Sequence, residues 1–243
     1  MSDCGFGLER YRRQLGLWGL DGQEMLESST VAVVGLGGLG GVVSLYLAGA
    51  GVGRLILVDG DVVEPHNLNR QLLYDEASVG LPKAVIAARR VREFNSCVEV
   101  VPVQERLTPD NVHRILGGVD LIVDALDNWE ARLVLDEYAR ETGTPLVHGA
   151  VERFYGQVLF TIPGETACLS CIAPRGGRGR CVQVAGPAVG VVASLEATLA
   201  VRFLAGLPVE AGTLYVVDAA DGGIEKIPLA PGCGCGDGKV GRL

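Results

Sequence analysis

The sequence predicts an α/β fold, a doubly wound and mostly parallel sheet extended by C-terminal antiparallel strands. Three observations carry that expectation. Short apolar, β-branched runs alternate with helix-period segments through residue 151, as strands do when crossover helices join them. A glycine segment, Gly35-Leu-Gly37-Gly38-Leu-Gly40, separates the first apolar run from the first helical one. After residue 151 the alternation stops, and strand-like runs recur around one long apolar helix.

Taken in order, residues 10–14 form a short basic segment with helical character. Residues 30–34 are apolar and β-branched after the first, which suits a strand buried on both faces. Residues 35–41 form the glycine loop, 42–50 a helix and 54–58 a second buried strand ending at Asp59. This is a βαβ unit. A polar loop follows over 61–75. Residues 83–94 are helical, with Val85, Ile86 and Val91 on an apolar face. Strands are predicted at 98–103, 121–124 and 145–151, and helices at 109–116 and 130–142, the former with proline in its first turn. Residues 156–162 alternate as a strand, 174–180 form a Gly/Arg loop, and 189–204 an apolar helix. Strands at 213–218 and 224–229 flank a glycine-containing turn, and 232–243 is a glycine-rich tail. No linker splits the chain, so residues 1–243 are expected to be a single domain. Its core is placed at about 28–151 and its second part at about 152–236.

Composition narrows the function. The chain has 243 residues, 48% apolar and 21% charged, with a net charge of −8. That is a globular composition, and the acidic balance argues against a nucleic-acid partner, which calls for a cationic face. Two uncharged or nearly uncharged runs, 30–53 and 188–206, are long enough to cross a bilayer. Glycines interrupt the first, and Glu196 and Arg202 fall in the second, so both are expected in the core and no membrane is expected. Residues 1–9 do not resemble a secretory leader. With seven cysteines, four of them in two close pairs, metal or reactive thiols are expected before disulfides, in a cytoplasmic protein.

Gly35, Gly37, Gly38 and Gly40 fit G-x-G-x-x-G between a strand and a helix. Glycines there let the backbone approach a phosphate, and the helix N-terminus supplies N–H donors. Asp59 ends the next strand, where an acid binds ribose hydroxyls. Nicotinamide dinucleotides and ATP both suit this fingerprint. Asp61, Asn67, Arg70, Gln71 and Lys83 follow, and two cations aimed at one phosphate chain suit a triphosphate. On spacing alone, an ordinary loop cation and a solvated helix start account for Arg70 and Lys83 equally well. Asp127 and Asn128 follow another predicted parallel strand, where a carboxylate can hold Mg²⁺. A helix N-cap is the rival role.

The ordered set Arg10-Tyr-x-Arg13-Gln14, G-x-G-G-x-G, Asp59-Gly-Asp61, Asn67-Leu-x-Arg70-Gln71, Gly-x-Pro-Lys83 and Asp124-x-x-Asp127-Asn128 resembles the MoeB/ThiF/HesA family of the ubiquitin-activating-enzyme superfamily. The resemblance runs from about residue 8 to 236. It implies a Rossmann-like, homodimeric adenylyltransferase acting on a ubiquitin-like sulfur-carrier protein that ends in Gly-Gly. Carried over by position, Asp59 holds the ribose; Asn67, Arg70 and Lys83 contact the phosphates; Asp127 binds Mg²⁺. Arg13 reaches the neighbouring protomer's phosphates. The attacking carboxylate is already ionised near neutral pH, so His66, His113 and His148 are read as structural. With no rhodanese-like stretch here, the sulfur donor is expected to be a separate cysteine desulfurase or rhodanese-like protein.

Cys168-x-x-Cys171 and Cys233-x-Cys235 resemble the family's structural zinc site, although the second pair has one intervening residue where the family has two. Cys181 occupies a position that relays sulfur or links to the carrier in some relatives, and Arg178 and Arg180 beside it favour its thiolate. Cys4 and Cys97 are assigned nothing. The rival functions are a tRNA threonylcarbamoyladenosine dehydratase-like member of the superfamily, an NAD-dependent dehydrogenase and a non-enzymatic interaction protein.

Overall fold

The computed structural model describes residues 6–173 and 183–231. Among these, eight strands form one sheet in the order β3-β2-β1-β4-β5-β6-β7-β8. In chain order the strands are β1 Thr30–Val34, β2 Arg54–Val58, β3 Glu99–Val103, β4 Leu121–Asp124, β5 Leu146–Glu152, β6 Tyr155–Thr161, β7 Thr213–Asp218 and β8 Gly223–Pro228. The helices are α1 Leu15–Ser28, α2 Gly38–Ala50, α3 Lys83–Phe94, α4 Val112–Leu116, α5 Trp129–Thr142 and α6 Gly186–Leu204. Strands β1 to β5 pair in parallel. The β5–β6, β6–β7 and β7–β8 pairs are antiparallel, so the predicted fold class is the observed one.

Alternation along the strands builds two cores. Val31 and Val33 face one side with Val43 and Leu47 of α2, Ile86 and Val91 of α3 and Val192 of α6. Ala32 and Val34 face the other with Ile115 of α4 and Leu135 and Tyr138 of α5. Each fully buried aliphatic side chain contributes roughly 1.5–3 kcal/mol. Strand β1 lies between β2 and β4. The chain runs from β1 to β3 on one side and then returns to β4 on the other. This reversal opens a crevice at the C-terminal ends of β1 and β4, where such sheets hold ligands.

The residues at 30–53 resolve into β1 and α2. Helix α6 is long and apolar enough to cross a membrane, yet it lies on the sheet. A Cβ at Gly156 of β6 would stand 2.1 Å from Val192 Cγ2, and a Cβ at Gly38 would stand 2.6 Å from Val189 Cγ1. Four helices depart from expectation, and one of them, α6, starts at Gly186, three residues early. Helix α1 was not predicted, because Gly16, Gly19 and Gly22 dilute its helical signal, and it breaks at Gly19 (φ 70°, ψ −171°). Tertiary bonds hold it instead, with Gln14 and Gln23 both donating to the Ala50 carbonyl. Helix α2 starts at Gly38, so the later glycines belong to its first turn. Helix α4 starts three residues late, because Asn111 Oδ1 accepts from Thr108 N at 2.8 Å and makes a turn first.

Candidate nucleotide site at the switch point

The glycine loop is fixed from below and leaves its helix terminus open. Gly35 has φ +90°, and a Cβ there would stand 2.6 Å from the Ala125 carbonyl oxygen. At Gly40 a Cβ would stand 1.8 Å from Gly35 O. Only glycine permits both the left-handed turn and this approach. The loop delivers the chain to the N-terminus of α2, a 13-residue helix whose first N–H groups and dipole favour an anion.

Asp59 holds the loop from the end of β2. Its Oδ2 accepts from Leu36 N at 2.8 Å and its Oδ1 from Asp61 N at 2.8 Å. Burial pushes its carboxyl above the usual range, opposed by Lys83 and by the two amide groups. Tyr74 closes the loop from behind, its hydroxyl donating to Leu36 O at 2.7 Å. Burial and the charge of Asp59 push that phenol far above its ordinary range, so it remains a neutral donor.

The predicted polar residues gather at this edge. Lys83 is buried at the start of α3, with Nζ 3.8 Å from Asp61 Oδ2. Asn67 is buried, its Oδ1 accepting from Glu64 N at 3.0 Å. Arg70 donates to His66 O and Asn69 Oδ1, both at 2.9 Å. Gln71 is buried with Oε1 unpaired among the described residues, and its Nε2 stands 3.5 Å from where a Gly37 Cβ would be. A buried amide oxygen against a glycine loop calls for a polar partner. Asn128 takes the cap role, with Oδ1 accepting from Ala131 N at 2.9 Å. Its neighbour Asp127 is exposed at the mouth of the crevice.

Arg13 is not brought to this edge. It is exposed in the turn before α1, and the next residue, Gln14, is bonded to Ala50 O at 2.8 Å. Ala50 ends α2, about 20 Å along the helix from the glycine loop at 1.5 Å per residue.

Two features escaped the sequence. Arg106, exposed after β3, pairs with Asp61 Oδ1 at 2.9 Å. Behind Asp127 lies a buried polar cluster. His148 Nδ1 is 2.7 Å from Asp124 Oδ2, Arg132 Nε is 3.8 Å from the same oxygen, and Glu196 is fully buried nearby. Burial, then the charge of Asp124, pushes the Glu196 carboxyl well above its usual range, with Arg132 pulling the other way. The signal was an acid inside an apolar helix run at 188–206. His66 and His113, read from the sequence as structural, are exposed and lie beside Glu64 and Glu141.

Cys168 and Cys171 flank a 3-10 turn, their sulfurs 3.7 Å apart. Buried Asp136 of α5 anchors that turn, accepting from Leu169 N at 2.8 Å and Ser170 N at 3.2 Å. Cys97 is disulfide-bonded, against the expectation of metal or thiols before disulfides; residue spacing does not reveal which cysteines meet. Cys4, Cys181, Cys233 and Cys235 lie outside the described residues.

A glycine loop, an acid at the end of β2 and a buried lysine meet at the switch point of an α/β protein of the doubly wound class. The ThiF family model matches residues 11–236, and the chain belongs to that family. It is 41% identical over 249 residues to the SAMP-activating enzyme E1 of Haloferax volcanii, covering 97% of this chain and 92% of that one. It is 41% identical to the sulfur carrier protein adenylyltransferase of Thermus thermophilus (93% and 91% covered). It is 35% identical to the sulfur carrier protein ThiS adenylyltransferase of Escherichia coli (97% and 96% covered). Among solved structures, E. coli MccB with MccA-N7isoASN shares the fold, with a TM-score of 0.84 and 22% identity over 93% of this chain and 74% of that chain.

Proposed function

We propose that this chain is an ATP-dependent adenylyltransferase that activates the C-terminal glycine carboxylate of a ubiquitin-like sulfur-carrier protein. The observation that carries the reading is the gathering of the glycine loop, Asp59, Gln71, Lys83 and Asp127 at one switch point in a ThiF-family chain. A carrier carboxylate oxygen attacks the α-phosphorus of ATP. The bond to the β-phosphate oxygen breaks, and pyrophosphate leaves with that electron pair. A sulfur nucleophile on a separate donor protein then attacks the acyl carbon, and the bond to the AMP oxygen breaks, AMP leaving with that electron pair.

Attack of one anion on another needs positive charge more than a base. Lys83 and Arg70 provide it, together with the N–H groups that open α2. Asp59 stays bound to the loop and offers its remaining lone pairs to the ribose. Asn67 and Gln71 complete the phosphate cradle, and Asn128 fixes the start of α5. Exposed Asp127, a hard oxygen ligand, fits Mg²⁺; bound there, the ion would neutralise phosphate charge. Arg13, exposed beside Gln14 at the end of α2 that lies about 20 Å along the helix from its own glycine loop, serves the site of a second protomer, which makes a homodimer the working unit.

Zinc fits the cysteine turn. Two thiolates at 2.3 Å from a tetrahedral ion stand about 3.8 Å apart, against the observed 3.7 Å. Cys168 and Cys171 would supply half the ligands and Cys233 and Cys235 the rest, tying the tail to the sheet. Cys181 is the candidate for relaying sulfur. A cytoplasmic setting follows from the biosynthetic chemistry.

The test is exchange of labelled pyrophosphate into ATP with a panel of purified carriers ending in Gly-Gly. Exchange that depends on one carrier supports the reading and names the partner. ATP binding without exchange, whatever the carrier, overturns it.

A further inference from the structure

The polar cluster behind Asp127 carries an inference that rests on the role just given to Asp127 and deepens it. Arg132 sits in the first turns of α5 with 7% of its side chain exposed. Its guanidinium donates to the Leu126 carbonyl. It also lies 3.5 Å from the Gly149 carbonyl of β5 and 3.8 Å from Asp124 Oδ2. Asp124 accepts from Leu126 N through Oδ1 at 3.2 Å and meets His148 Nδ1 through Oδ2 at 2.7 Å. His148 Nε2 in turn is 3.2 Å from the Gln157 side-chain amide.

Leu126 is therefore held at both of its backbone groups, N–H by Asp124 and C=O by Arg132. The carbonyl carbon of Leu126 is bonded to the nitrogen of Asp127. Holding that planar peptide group fixes where the Asp127 Cα lies. On the other side, Asn128 is tied into the cap of α5. Exposed Asp127 thus projects from backbone clamped before and after it.

Packing alone gives no reason for a guanidinium here. A buried cation is costly unless paired, and an apolar side chain of similar volume fills such space without that cost. Trp129, whose ring lies 5.2 Å from the Arg132 guanidinium carbon, would cover an aliphatic residue equally well. The guanidinium places Nη2 against acceptors on two segments, Leu126 O in the β4–α5 turn and Gly149 O of β5, while its Nε faces Asp124 Oδ2 at 3.8 Å with no hydrogen bond among the described residues. We propose that Arg132 is the positioning residue of the site: held by the Asp124–His148 pair, it fixes the Leu126–Asp127 peptide so that Asp127 presents its carboxylate to the metal on the nucleotide.

The experiment is calorimetric titration of ATP into the full-length protein with and without Mg²⁺. The ratio of the two Kd values reads metal coupling with no turnover. In Asp127→Asn the ratio collapses toward unity. In Arg132→Lys, which keeps the charge and loses the fork, it falls about tenfold, the scale seen when the outer partner of a metal ligand is removed. Its Kd for ATP without Mg²⁺ stays at the parent value. A parent-like ratio in Arg132→Lys, beside a collapsed one in Asp127→Asn, overturns the positioning role and leaves Asp127 standing. A parent-like ratio in Asp127→Asn, or a parent that shows no Mg²⁺ effect, overturns the role of Asp127 and the proposal with it. If Arg132→Lys does not fold, His148→Gln replaces it by loosening Asp124; the ratio falls in the same direction, and an unchanged ratio overturns the proposal.

Discussion

Two charge clusters flank the crevice, and they differ in how water reaches them. In the outer one, Asp61 is half exposed and Arg106 82% exposed, and Lys83 stands 3.8 Å from its partner. In the inner one, Asp124 and His148 are fully buried at 2.7 Å, with Arg132 beside them. Exposed ion pairs contribute ~0–1 kcal/mol and rearrange at little cost. Buried ones cost several kcal/mol to break from one side. Lys83 is itself buried, but its 3.8 Å contact is with half-exposed Asp61, which water screens, so leaving Asp61 for an anion costs it little. The inner cluster suits a frame that must not move.

Breaking the inner cluster is expected to have the largest effect. Asp124→Ala strands Arg132 in the core and frees Leu126 N, and should lower unfolding free energy by about 3–5 kcal/mol. Chemical denaturation measures this, and a loss under 1 kcal/mol would show that the inner cluster is no more a frame than the outer. Lys83→Ala should do the reverse. Pyrophosphate exchange should fall roughly 100-fold or more, the scale of losing one charge-stabilising group, while the denaturation midpoint stays close to the parent's. Exchange within a few-fold of the parent removes Lys83 from the phosphate site.

Glu196 sharpens the comparison through pH. Its folded-state carboxyl lies well above the ordinary value of 4.5, chiefly because it is buried and secondly because Asp124 is near. The folded chain thus keeps a proton that the unfolded chain releases as pH rises past 4.5. Stability is lost progressively from there upward until the folded group itself ionises. Glu196→Gln removes that loss. The variant should match the parent near pH 4 and exceed it at pH 8, as read by denaturant midpoints at the two pH values. Equal midpoints at pH 8 would place a water or counter-charge beside Glu196.

Much of this architecture was legible because it is local. β-branched runs, the glycine loop and the acid after β2 each follow from a few neighbouring residues. The helix cap at Asp127–Asn128 was legible for the same reason, and Asn128 is the residue that takes it. What was not legible depends on distant segments meeting. Helix α1 exists through Gln14 and Gln23 reaching Ala50, which no propensity records. Arg132 and Asp136 are charged residues on the buried face of α5. Their partners come from β4, β5 and the cysteine turn. Glu196 announced itself as an acid in an apolar run, but its neighbours did not.

Arg106 offers the smallest effect and the closest test of the outer cluster. It shares Asp61 with Lys83, contacting Oδ1 while Lys83 faces Oδ2. Removing it in Arg106→Ala takes away an exposed pair, so stability should change by less than ~1 kcal/mol. Asp61 is then left to Lys83 alone, and their attraction is no longer divided. Lys83 should be held more firmly by Asp61 and surrendered less readily to phosphate. KM for ATP in the exchange assay should rise a few-fold with kcat little changed, most clearly at low salt, where screening is weakest. A fall in kcat with KM constant would instead place Arg106 among the groups that act on the reacting phosphate. The line between the two clusters would then have to be redrawn with Arg106 on the catalytic side.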